Sequence, residues 1–271
     1  MYNAYWGLKE KPFENTPDPR FIFYTPQHEE GLSRLLYAVR EEKGAALLTG
    51  LFGCGKTLLG RVLFKELEKD VYRVAFISNP QMEYMELVMS IASGLGARDL
   101  PTRRSEVLAN VVLQELQEAL QDNARDGKKT VVMIDEAHII EDRHVWEGLR
   151  LLLNLQLDDR FLMTLILLGQ PELKEKINAN KQLSQRISIR CHVNSLNEEE
   201  SKAYVIHRLK IAGREIPLFT PESLRFIHEK SGGIPWRINS ICDLALLSGF
   251  GKSSKEIDLA TLQEVVRDIE G

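Results

Sequence analysis

The sequence predicts a doubly wound α/β domain followed by a smaller, all-helical one. Three observations carry this. Five short apolar runs recur through the first 193 positions, stretches of helical period lie between them, and the strand-like runs stop after about residue 194. The five runs are 45–49, 71–78, 130–134, 161–168 and 187–193. They are nearly continuous rather than alternating, the pattern of strands in a parallel sheet covered on both faces.

Between the first two runs, residues 57–69 place Leu59, Val62, Leu63 and Leu67 on one stripe. Residues 105–122 do the same with Val107, Val111, Val112, Leu116 and Leu120. Beyond a short hinge at 194–196, Asn197 is placed to cap a helix that opens with three glutamates and ends near Gly213. Thr220 and Pro221 start a second helix as N-cap and first helical residue, and paired glycines end it. "PWRINSICDLALLSGFG" and "DLATLQEVVRDIEG" supply two more.

The composition narrows the possible functions. Of 271 residues, 44% are hydrophobic, enough for one large domain or two unequal ones. Thirty-five basic residues stand against 39 acidic ones, for a net charge of −4. This is not a polycation built for phosphate backbones, and Arg103-Arg104 and Lys128-Lys129 read as solvated faces. "FLMTLILLG", the longest apolar stretch, is too short to span a bilayer, and the N-terminus lacks a charged-then-apolar signal pattern. Cys54, Cys191 and Cys242 are widely spaced, which gives neither a metal pattern nor a disulfide framework. A reducing, cytoplasmic setting follows as the expectation.

The chemistry begins at "GLFGCGKTLLG", where Gly50, Gly55, Lys56 and Thr57 fit G-x-x-x-x-G-K-[ST] between an apolar run and an amphipathic helix. A phosphate chain is best held by several inward-pointing backbone N–H groups, and the helix start adds its positive dipole end. The expected nucleotide-binding residues are Gly50, Gly53, Cys54, Gly55, Lys56, Thr57 and Leu58, with Lys56 on the β- and γ-phosphates and the Thr57 hydroxyl on Mg2+.

A second motif, "TVVMIDEAH", ends an apolar run with Asp135 and Glu136. At the C-terminal edge of a parallel sheet, Asp135 can position the metal through water while Glu136 orients and deprotonates the attacking water. The letters DEAH also name a helicase class. Those helicases need two sheet domains around their nucleotide, and this chain has room for one. A third run, "LILLGQPEL", ends in Gln170, placed to sense the γ-phosphate. Arg186, with Arg190 in reserve, is the candidate to enter a neighbouring subunit's site.

With these residues in place, the chain resembles AAA+ ATPases, and specifically the ATPase domain of the general secretion pathway A (ExeA-like) group. The resemblance covers nearly the whole chain. Its most specific blocks are the N-terminal stretch "YWGLKEKPFENTPDPRFIFYTPQHEEGLSRLLYAV" and "LDDRFLMTLILLGQPEL"; "QRI" and "SGGIPWRINSICDLALL" follow in order. The resemblance implies a P-loop sheet of five strands in the order 5-1-4-3-2. It implies a core over 1–193, with residues 1–40 bordering the pocket, and a helical lid over 194–271. ATP with Mg2+, a ring-like homo-oligomer and a secretion or cell-envelope partner are also implied. Gln170 then takes the sensor-1 role and Arg186 the arginine-finger role. Larger relatives continue into a membrane span and a peptidoglycan-binding domain, so the chain reads as an isolated cytoplasmic domain or a short relative.

Two departures from the family pattern stand out. Trp236 holds the place of the lid arginine, and Arg237 stands one residue later, turned by about 100° on a helix. Trp236 would then stack on adenine or pack the hinge, with Arg237 the alternative sensor 2. Cys54 replaces a small hydroxyl residue or alanine, and a thiol at a helix N-terminus is expected to have a lowered pKa and be oxidisable, unless it is simply a tolerated small side chain. Three functions compete: an ATPase driving assembly of a cell-envelope complex, a DNA-associated regulator of the transposition-helper type, and an ATP-dependent scaffold with weak hydrolysis.

Overall fold

A computed structural model describes residues 2–101 and 108–270. Five strands, β1 (Ala45–Gly50), β2 (Tyr72–Ile77), β3 (Lys129–Ile134), β4 (Thr164–Gly169) and β5 (Ile187–Val193), alternate with helices. The helices are α1 (Asn3–Trp6), α2 (Pro26–Arg40), α3 (Lys56–Glu66), α4 (Tyr84–Leu95), α5 (Ala109–Arg125), α6 (Arg143–Leu152), α7 (Glu172–Ala179), α8 (Lys181–Arg186), α9 (Glu198–Ile211), α10 (Pro221–Ser231), α11 (Pro235–Gly251) and α12 (Leu259–Glu270). The helix expected over 105–122 is α5; Val107 and the Arg103-Arg104 pair lie outside the described residues.

All four strand pairings are parallel, in the order β2-β3-β4-β1-β5, which is the expected 5-1-4-3-2 read from the other edge. Every residue of β1 and β4 is buried, which is why their sequences show no alternation. The edge strands β2 and β5 are only part buried. The fourth strand begins three residues later than its apolar run, because Phe161 leaves the parallel ladder and bridges antiparallel to Gln156.

Two compact units divide the chain. One comprises Pro26–Gly50 and Leu59–Val193 and holds the sheet. Its core is built from α4, α5 and α6 side chains, such as Ile91, Leu116 and Leu149, against the sheet residues Leu47, Ile134 and Leu167. The other comprises Met1–Thr25, Leu51–Leu58 and Asn194–Gly271. Its caps are those the sequence foreshadows: Asn197 accepts from Glu200 N–H at α9, and Thr220 accepts from Ser223 N–H at α10, with Pro221 opening the helix.

Met1–Thr25 group with the C-terminal helices. Aromatic burial is the reason. Tyr2, Trp6 and Phe13 join the cluster containing Leu209, Ile238 and Leu246, and Trp6 Nε1 donates to the Leu246 carbonyl at 2.9 Å. Arg208, 5% exposed, donates to the carbonyls of Pro12 and Glu14 and stacks on Phe21.

Leu167 is fully buried in the middle of the sheet, paired in register with Leu47 and Ile134. Leu167→Ala is expected to cost about 3 kcal/mol in urea unfolding. A loss below about 1 kcal/mol would mean that β4 is not the centre of this core.

Candidate active site

Within the sheet unit, register decides which residues meet at the C-terminal edge. Ile134 pairs with Leu167, and Leu167 with Leu47, so β3 ends two residues before β4 and three before β1, and Asp135, Gln170 and the residue after Gly50 all follow at the C-terminal edge. β4 separates β3 from β1, a spacing of about 10 Å across the ladder. A Cβ on Gly50 would fall 2.5 Å from the Val193 carbonyl oxygen of β5, so only glycine fits there.

Asp135 is 2% exposed, continues the ladder by donating its N–H to the Ile77 carbonyl, and accepts from Glu136 N–H at 2.9 Å. Glu136 is in the left-handed region, at φ +52°. That conformation costs a residue with a Cβ about 1–2 kcal/mol. A 3-10 turn, Ala137–Ile139, follows directly. His138 Nδ1 lies 3.4 Å from Glu136 Oε2, and His138 Nε2 lies 2.9 Å from Gln170 Nε2. The Lys176 ammonium on α7 donates to the carbonyls of His138 and Ile140 at 2.6 and 3.0 Å.

The expected phosphate loop belongs to the other unit. It turns through Gly53 (φ +79°) and Gly55 (φ +86°) into α3, whose first residue is Lys56. Lys56 is 4% exposed and donates from Nζ to the Leu51 carbonyl at 2.9 Å. Thr57 and Leu58 are half-buried in the first helical turn. Gly53 is needed for two reasons. Its φ suits glycine, and a Cβ there would fall 2.6 Å from Trp236 Cβ. Trp236 N–H also donates to the Gly53 carbonyl, and its ring meets Phe52 edge-on at 5.7 Å. Trp236 therefore packs on the loop itself rather than on the 194–196 hinge, and Arg237 beside it is exposed.

These features suit a phosphate chain with its metal. The loop has left-handed turns at Gly53 and Gly55, a buried ammonium at Lys56 and a helix start, the features a phosphate loop needs. Among the described residues no group of three or more His, Cys, Asp or Glu could hold a metal. Thr57 offers a hydroxyl in one unit and Asp135 a carboxylate in the other.

One expectation is corrected. Cys54 has no lowered pKa. It is 1% exposed, and burial pushes its thiol up, outweighing the Lys56 charge that pulls it down. The two arginines are each bound within the sheet unit. Arg186 donates to the Leu153 carbonyl and the Asn154 side chain, and Arg190 donates to Ser184 and Asn178. The sequence reading did not select His138 or Lys176. His138 stands two residues after Glu136, with no local signal for its contacts to Glu136 and Gln170. Lys176 has no local signal, because only the docking of α7 brings it to the turn.

A five-stranded parallel sheet in this order, with a glycine-rich loop after its first strand and an acidic pair after its third, is the architecture of the AAA+ P-loop class. The sequence matches the AAA domain over residues 39–177, about half of the chain, and the protein belongs to that family. It is 37% identical over 260 residues to general secretion pathway protein A of Aeromonas hydrophila, covering 95% of this chain and 46% of that protein. The chain therefore spans less than half the length of that relative. Among solved structures, ORC1 of Aeropyrum pernix in complex with DNA superposes with a TM-score of 0.72 at 16% identity, covering 96% of this chain and 70% of that one. Cdc6p of Pyrobaculum aerophilum gives 0.69 at 18% identity, covering 89% and 68%. At these identities the likeness is one of fold.

All three cysteines are buried thiols outside any disulfide. A thiol reagent should therefore titrate none of them rapidly in the native protein and three after denaturation. Rapid native labelling of Cys54 would contradict the burial. Glu136→Gly should raise the melting midpoint by a few degrees, about 1 kcal/mol, by relieving the left-handed strain. An unchanged or lower midpoint would show that the turn stores none.

Proposed function

We propose that this protein is a Mg2+-dependent ATPase that works as a homo-oligomer in the cytoplasm and drives assembly of a secretion or cell-envelope complex. One observation carries the catalytic part: a single edge of the parallel sheet releases the loop after β1, Asp135-Glu136 after β3 and Gln170 after β4. The secretion role is supported by the 37% identity to general secretion pathway protein A, and no helix among the described residues is long and apolar enough to cross a membrane.

The roles follow from the chemistry of each group. The loop amides and Lys56 hold the β- and γ-phosphates, where the buried ammonium acts in a low dielectric. Thr57 and Asp135 would hold the metal, which would supply charge neutralisation of the phosphates. Glu136 accepts the proton of the attacking water, and Gln170 fixes that water's position. Arg186 serves the neighbouring copy's site, which requires it to exchange its bonds to Leu153 and Asn154 for a phosphate.

A DNA-handling role finds support in the fold likeness to ORC1 in complex with DNA. The higher identity to the secretion relative and the net charge of −4 weigh against it. A gel shift that weakens steeply with salt would favour it.

Lys56→Ala should abolish ATP binding by calorimetry, whereas Glu136→Gln should bind ATP and lose hydrolysis by about 10²–10⁴-fold. Arg186→Ala should bind normally and lose about 10³-fold or more in turnover, and wild-type specific activity should rise with protein concentration. Full turnover in Glu136→Gln would remove the catalytic assignment. Activity independent of both concentration and Arg186 would remove the oligomeric one.

A further inference from the structure

His138 touches both ends of the catalytic edge, and nothing assigned so far uses it. Its Nε2 lies 2.9 Å from the Gln170 amide nitrogen. An amide nitrogen can only donate, so this ring nitrogen must carry the lone pair. The proton of the neutral ring then sits on Nδ1, which faces Glu136 Oε2 at 3.4 Å. A carboxylate on that side favours the same tautomer. Nδ1 is buried and makes no hydrogen bond to any described residue, so it is a donor held just beyond bonding range of the proposed base.

The surroundings hold the ring there. Lys176 gathers the carbonyls of His138 and Ile140 and so fixes the turn that follows the left-handed Glu136. Gly169, immediately before Gln170, leaves room for this packing. A Cβ at Gly169 would fall 3.1 Å from His138 N and 3.3 Å from Nδ1. The end of β4 and the start of α7 thus grip the turn after β3 through its side chain and its backbone.

We propose that His138 is a positioning residue that couples Gln170 to Glu136. It accepts from the Gln170 amide through Nε2 and presents Nδ1–H to the Glu136 carboxylate, so that a displacement of Gln170 by the γ-phosphate turns the imidazole and closes the 3.4 Å gap. Hydrogen bonds of this kind often stand long before substrate arrives and tighten in the reacting complex. Glu136 is then aimed at water only when Gln170 is engaged. This inference rests on the catalytic reading of Glu136 given above.

The test is a double-mutant cycle on the full chain, with Glu136→Gln as reference. His138→Ala should lower kcat by about 10–100-fold with unchanged KM and ATP affinity, the scale of a misplaced catalytic group. Gln170→Ala combined with His138→Ala should be no slower than the slower single variant, because both break one linkage. His138→Asn covers the case in which the alanine variant does not fold, since the Lys176 contacts are to backbone carbonyls. Nitrogen-15 spectra of the ring should show the Nδ1–H tautomer in wild type and a changed signal in Gln170→Ala. Wild-type turnover in His138→Ala, multiplying effects in the double variant, or an Nε2–H ring would each overturn the coupling while leaving Glu136 in place. Full turnover in Glu136→Gln would overturn the catalytic reading and this inference with it.

Discussion

Backbone hydrogen bonding among three neighbouring strands sets where Asp135, Glu136 and Gln170 emerge. β4 pairs with β1 on one side and β3 on the other, in parallel and without a register shift in either ladder. A slip of one residue in either ladder would send Asp135 or Gln170 to the opposite face of its strand. The buried leucines and isoleucines of β1, β3 and β4 make such a slip costly, since each would exchange covered faces around it. The apolar core thus acts at a distance on the chemistry: it fixes the order in which polar side chains leave the sheet.

At that edge the molecule accepts local strain. Glu136 holds a left-handed backbone that glycine would adopt freely, and Lys176 and Gln170 secure the turn behind it. A side chain kept in an unfavourable conformation by surrounding hydrogen bonds is a common arrangement where a carboxylate must point in one direction. The loop after β1 shows a related economy in Gly53, whose positive φ makes the turn and whose missing Cβ admits Trp236. Trp236 packs on this loop through Gly53 and Phe52.

Sequence and fold speak at different depths about relationship. The likeness to the archaeal ORC1 and Cdc6p structures extends over most of this chain at 16–18% identity and establishes the architecture alone. The 37% identity to general secretion pathway protein A extends over 95% of this chain and establishes relationship in sequence. That relative is more than twice as long, so its activity as a whole passes to this chain only as a proposal.

Legibility divided along the range of the interactions. The parallel sheet, the phosphate loop, the Asp135-Glu136 pair and the caps at Asn197 and Thr220 are local patterns, read from residues within a few positions of one another. The order 5-1-4-3-2 came through family resemblance, since strand order is a property of pairings far apart in the chain. The sequence by itself determined which residues are proposed for phosphate, metal and proton chemistry. The tertiary structure alone decided three matters: that Met1–Thr25 join the C-terminal helices, that Cys54 is sealed and its thiol raised, and that His138 and Lys176 close on the turn beside Glu136. Each depends on burial or on contact between distant segments, and such energies exist only once the chain has folded.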